Sequence, residues 1–142
     1  MATSKAVSVK VDGLAAFRKE LKSLEDAPEF EKELKEANFN VASMVVDRAR
    51  STASTPLQRK ASESLKAGRA AARATVSGGG AQYTLFGGAE FGSITHTQFE
   101  AWRGSSYDAG YFLYPTIRSN SDEIVELYGE AIEKITAAAF PS

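Results

Sequence analysis

One histidine, a glycine run, a set of spaced acids and a basic stretch are the places where this sequence could do chemistry. His96 stands between Thr95 and Thr97 and is the only histidine in the 142 residues. A general base needs a positioned nucleophile, and a metal needs further ligands. The flanking residues provide neither, so His96 reads as a solvated or hydrogen-bonded loop residue. Gly78-Gly79-Gly80 lacks the Lys-Ser/Thr and the strand-to-helix setting of a phosphate loop, and reads as a turn. Glu126, Glu130 and Glu133 fall on roughly one side of a helix, a spacing that ordinarily marks a wet face. The absence of cysteine removes thiolate zinc sites, disulfides and a cysteine nucleophile, and suits a reducing compartment. The expectation is a non-enzymatic protein with no catalytic residue, metal site or cofactor.

The basic stretch comprises Arg48, Arg50, Arg59, Lys60, Lys66, Arg69 and Arg73. A net charge of −1 hides a segregation: residues 37–75 hold 7 Lys/Arg against 2 Asp/Glu, and residues 76–142 hold 3 against 8. Such asymmetry can serve nucleic acid, pair neighbouring subunits head to tail, or neutralise itself within one fold. Clustered cations bind phosphates, but segment 48–73 has no aromatic residue on which bases could stack. A nucleic-acid-binding module built on this segment is therefore the alternative function, to be judged by whether its charges form one contiguous face.

The segment from Ala89 to Arg118 carries the other signal. It holds the only Trp, and a long aromatic loop between two regular segments is more than a small core needs for closure. Aromatics remove much apolar area from water at modest rotamer cost, and so favour interface centres. Phe91, Phe99, Trp102, Tyr107 and Tyr111 are candidates to dock on a neighbour. The interface residues expected are Phe91, Trp102, Tyr111, Tyr114 and Arg118, with Trp102, beside Arg103, first among them.

Hydrophobic periodicity supplies the elements that position these residues. Val7, Val9 and Val11 alternate with polar residues and predict a strand; Leu14, Phe17, Leu21 and Leu24 predict a helix. After Pro28, Phe30, Leu34, Ala37, Val41 and Val45 predict a long helix to about Arg50. The Ser/Thr run ending at Pro56 stops it, and Leu57 to about Lys66 allows a short helix. Alternation from Arg69 to Ser77, the three glycines and Gln82–Phe86 predict a hairpin. Tyr111 to Ile117 reads as a strand that Pro115 confines to an edge or ends. Asn120 with Glu123 predicts a capping box, opening a final helix whose face is Ile124, Leu127, Tyr128, Ala131, Ile132, Ile135 and Ala139. The expected fold is one α+β domain over 1–142, a small, mostly antiparallel sheet packed by the long helix and the C-terminal helix. The N-terminus lacks a signal-like apolar core, and no apolar run approaches the roughly 18 residues of a membrane span. A soluble, unprocessed protein is expected.

Taken in order, the Val-rich strand ending in Val11-Asp12-Gly13-Leu14, the long helix, the glycine-separated hairpin, Glu90-Phe91-Gly92 and Phe112-Leu113-Tyr114-Pro115-Thr116-Ile117-Arg118 before an amphipathic helix resemble the tail-completion, head-to-tail connector family of long-tailed bacteriophages. Gly110-Tyr111-Phe112-Leu113-Tyr114-Pro115 is similar to members from phages of actinobacteria. The order runs through nearly the whole chain, and segment 90–118 is its specific part. The sequence departs at Thr55-Pro56-Leu57-Gln58-Arg59-Lys60-Ala61-Ser62-Glu63-Ser64-Leu65, where many members have Thr-Gly-x-Leu-Arg-x-Ser. The resemblance implies a virion protein made in the bacterial host cytoplasm and placed at the head-to-tail junction. It further implies a homo-oligomeric ring, sixfold by family expectation, between the capsid connector and the tail-tube or tail-terminator proteins. DNA would pass through the lumen without sequence-specific binding, and no membrane is involved.

Overall fold

A computed structural model describes residues 4–9, 14–24, 27–70, 73–79, 85–96, 98–103 and 109–140, of which 4–9 and 14–15 are described as backbone alone. The fold is α+β. In chain order the elements are β1 (Ser4–Val9), α1 (Leu14–Lys22), α2 (Ala27–Thr52), α3 (Pro56–Ser62), β2 (Lys66–Ala67), β3 (Ala74–Gly79), α4 (Phe86–Phe91), α5 (Leu113–Ser119) and α6 (Ser121–Ala139). No helix among the described residues is long and apolar enough to cross a membrane.

The sheet is antiparallel in the order β1-β3-β2. In β3 the buried residues Ala74, Val76 and Gly78 alternate with half-buried Thr75, Ser77 and Gly79, the period of a strand with one face against a core. Val76 pairs with Val7 on one side and Ala67 on the other. The strand begins later than its alternation suggests. Ala is a weak strand former, and Asn38 of α2 claims the Ala70 carbonyl at 2.7 Å.

The hairpin also differs from expectation. Its partners are β2 and β3, with the Gly68 N–H bonded to the Thr75 carbonyl at 2.8 Å. Gly78 and Gly79 belong to β3 itself. Residues 82–84 of the expected returning strand lie outside the described residues, while Phe86 opens α4. Gly78 fits because the Phe86 ring lies where its Cβ would be.

Helix α2 packs on β3, α5 and α6. Its stripe of Phe30, Leu34, Val41, Val45 and Ala49 recurs at three- and four-residue spacing and is buried, as an amphipathic helix over a core requires. Asn38 falls on this stripe and is also buried. It stays satisfied by donating to Ala70 and accepting from the Tyr128 hydroxyl of α6. Helix α3 opens on a capping box: the Gln58 N–H donates to Thr55 Oγ1 at 3.1 Å, and Gln58 Oε1 accepts from the Thr55 N–H. The Arg50 guanidinium caps its far end on the carbonyls of Ser62 and Leu65.

Two expectations near the C-terminus are corrected. The run Tyr111–Ile117 is not a strand: Leu113–Ser119 is helix α5, with Leu113, Thr116 and Ile117 buried at helical spacing. Pro115 occupies the third position of that helix, where the missing N–H has no intrahelical partner to lose. It therefore does not end a strand. The Asn120–Glu123 capping box does not form either. Arg48 of α2 draws both side chains to itself, accepting neither role: it donates to Asn120 Oδ1 and pairs with Glu123, with 2.8 Å from Nη2 to Oε1. A guanidinium with two acceptors outcompetes a backbone N–H for them.

Candidate functional site

Segment 89–118 is organised around Glu90. This residue is fully buried at the end of α4, where its charge would be costly without partners. Its carboxylate accepts three backbone N–H bonds at the start of α5, from Phe112 (3.1 Å), Leu113 (2.8 Å) and Tyr114 (3.1 Å). These are groups that a helix start leaves unpaired. Burial nevertheless raises the Glu90 pKa above the ordinary carboxylate value, with the backbone N–H donors acting against the shift. Tyr114 is raised by burial and then by the nearby Glu90 charge.

Two glycines make this approach possible. Gly110 has φ +94°, and a Cβ there would collide with Glu90 Oε2. Gly92 has φ +84°, and a Cβ there would collide with the Ala101 carbonyl. The Glu90-Phe91-Gly92 motif is therefore a structural latch: a buried carboxylate holds α5, and the glycine turns the chain outward.

Beyond Gly92 the chain is tied back repeatedly. Ser93 forms a parallel bridge with Ala101, and the Arg103 N–H donates to the Phe91 carbonyl at 2.9 Å. The Arg103 guanidinium stacks 3.6 Å from the Tyr111 ring centroid and donates to the Gly110 carbonyl. Tyr111 donates to the Ala101 carbonyl at 2.6 Å, and Arg118 to the Ala109 carbonyl at 2.6 Å. The ties leave Ile94 82% exposed and Trp102 47% exposed. Beside this segment, Pro56, Leu57 and Gln58 of α3 and Ala89, Phe99 and Glu100 line a cleft of about 220 Å³.

The expected interface residues thus separate. Trp102 stands on the surface. Tyr111, Tyr114 and Arg118 are half-buried; Tyr111 ties the far end of the loop back to Ala101, and Arg118 bonds Ala109 beside it. Phe91 is only 3% exposed and packs 5.5 Å from the Tyr114 ring, so in this chain it is a core residue with no surface to offer a partner. Phe99 is half-buried against Gly88, and Tyr107 lies outside the described residues. His96 is exposed; its N–H bonds Ser93 Oγ at 3.1 Å. The residues missed from sequence are Glu90, Arg103 and Gly110. The one available signal, for Glu90, was a carboxylate flanked by apolar and glycine neighbours.

The charges of the basic segment are divided among several elements. Arg48 turns to Glu123 and Asn120, Arg50 to the carbonyls closing α3, and Arg69 to Glu36 at 3.2 Å and the Phe39 ring at 3.6 Å. Arg59 donates to the Ser54 carbonyl at 2.6 Å, and Arg50, Arg59, Lys60, Lys66, Arg69 and Arg73 are all exposed. Arg48 holds Glu123 below the ordinary carboxylate range, chiefly through their hydrogen bond. Comparison with protein-family models, with curated proteins and with solved structures finds no match for this chain.

Proposed function

We propose that this chain is a structural subunit of a long-tailed phage virion, a connector or tail-completion protein that forms a ring around the DNA channel at the head-to-tail junction. Its work is binding without chemistry. The long helix and the C-terminal helix on a small antiparallel sheet form the scaffold, and the aromatic segment between α4 and α5 meets the adjacent connector or tail proteins. The observation that carries the reading is the exposure of Trp102 and Ile94 on a segment fixed by the Arg103, Tyr111 and Arg118 ties. A large apolar surface held in one conformation loses little entropy on docking. The division of the basic segment among several internal partners supports assembly over nucleic-acid binding as the use of its charge.

The test is the solution mass of the purified chain by light scattering over a concentration series at low and high salt, with negative-stain imaging of the largest species. Closed rings, or a climb towards a discrete oligomer, are expected. Trp102→Ala should weaken that assembly while changing monomer stability by no more than about 0.5 kcal/mol, as for other exposed positions. A chain that stays monomeric and binds duplex DNA with a steep salt dependence would overturn the proposal in favour of the nucleic-acid module.

A further inference from the structure

Helices α2 and α6 run antiparallel and are tied at several points along their length. Arg48 binds Glu123 and Asn120, and further along Tyr128 donates to Asn38. Beyond that point the small side chains Ala37 and Ala131 leave a groove of about 290 Å³ between the helices. Ala37, Leu127, Ala131 and Ile135 make its apolar lining, and Glu33, Glu36, Glu130 and Lys134 its charged rim. Lys134 lies 3.8 Å from Glu33 and Arg69 3.2 Å from Glu36, whereas Glu130 makes no ion pair among the described residues.

An apolar floor beneath carboxylates selects a ligand with an aliphatic stem and a cationic head, the build of a Lys or Arg side chain. This chain exposes such side chains at the opposite end of α2. Arg50, Arg59, Lys60 and Lys66 surround α3 and β2 and outnumber Asp47 and Glu63 there. From Glu36 to the end of α2 is about 24 Å of helix at 1.5 Å per residue, so one chain's α3 does not reach its own groove.

We infer that the groove between α2 and α6 receives the Arg59-Lys60 face of α3 from a second copy of this chain. The contact joins two different surfaces, so it propagates head to tail and gives a ring where the rotation between neighbours closes. It rests on the ring reading and supplies that reading with a lateral contact, separate from the Trp102 surface. Arg59 reaches the site from an exposed position, its guanidinium otherwise bonded to the Ser54 carbonyl at 2.6 Å.

Glu130→Lys and Arg59→Glu, made singly and together, test the contact by light scattering over a concentration series at low salt. Unchanged thermal unfolding confirms that each variant folds. Each single reversal is expected to weaken association at least about tenfold, the scale of one close charge pair, and the double reversal to restore most of it. The chain has no cysteine, so a mixture of Glu130→Cys and Arg59→Cys chains should also give a dimer with a short bis-maleimide that neither variant gives alone. Association that ignores both reversals overturns the groove contact and leaves a ring built on another surface. Loss in both singles without recovery in the double overturns it as well. A monomer that gives no mixed crosslink overturns the groove contact; the connector reading falls with it only if that monomer also binds duplex DNA.

Discussion

Replacing Glu90 with alanine tests the latch that joins α4 to α5. The substitution removes the acceptor from three backbone N–H groups, two of them buried and one partly so. An unsatisfied buried donor costs about 1–3 kcal/mol. Water entering the space left by the side chain, and relief from burying a charge, both offset part of this. A net loss of about 2–4 kcal/mol is expected, a large share of the ~5–15 kcal/mol that holds a domain together. Urea unfolding followed by circular dichroism should show a lower midpoint at unchanged slope. Glu90→Gln keeps an oxygen for Phe112 and Leu113 but sets an amide donor against the Tyr114 N–H, so about half that loss is expected.

The pH dependence has a definite sign. The folded state raises the Glu90 pKa, so its favourable contribution is full below the unfolded value and fades as pH rises through the folded one. The stability gap between wild type and Glu90→Gln should therefore narrow on going from about pH 4 to about pH 8, the window above the ordinary carboxylate value. A Glu90→Ala variant losing less than about 1 kcal/mol, or a gap that widens with pH, would refute the reasoning.

Gly110→Ala should lower stability by about 2–4 kcal/mol in thermal unfolding, because it adds positive-φ strain to the collision with Glu90. Gly129→Ala, in α6 with open space around it, should raise stability by about 0.5–1 kcal/mol; a loss there would mean the site is not open. Glu123 titrates below its ordinary range, so the Arg48 pair contributes above the unfolded pKa and is lost as pH falls through the folded one. The difference between wild type and Glu123→Gln should vanish in an acid titration. Tyr128→Phe removes the hydroxyl that donates to Asn38 Oδ1 and should cost about 1–2 kcal/mol in the same unfolding assay.

Period alone determined much of this chain. The stripes of α1, α2 and α6 and the alternation of β3 were legible because each reports one face turned to a core, a property of neighbours along the sequence. What tertiary structure decided was how short, mixed segments resolve. Leu113–Ser119 holds aromatic and β-branched residues that suit a strand, and becomes a helix because Glu90, more than twenty residues earlier, caps its start. Asn120 and Glu123 have the spacing of a capping box, and Arg48, more than seventy residues earlier, takes both. Phe91 and Trp102 are both aromatics of one segment, yet one is buried and the other exposed, which depends on where Gly92 sends the chain and what Tyr114 packs against. Sequence distance hides these partners: Glu90 is a buried charge that folds only where donors from elsewhere in the chain converge on it, whereas Arg48 and Glu123 meet as a half-exposed pair.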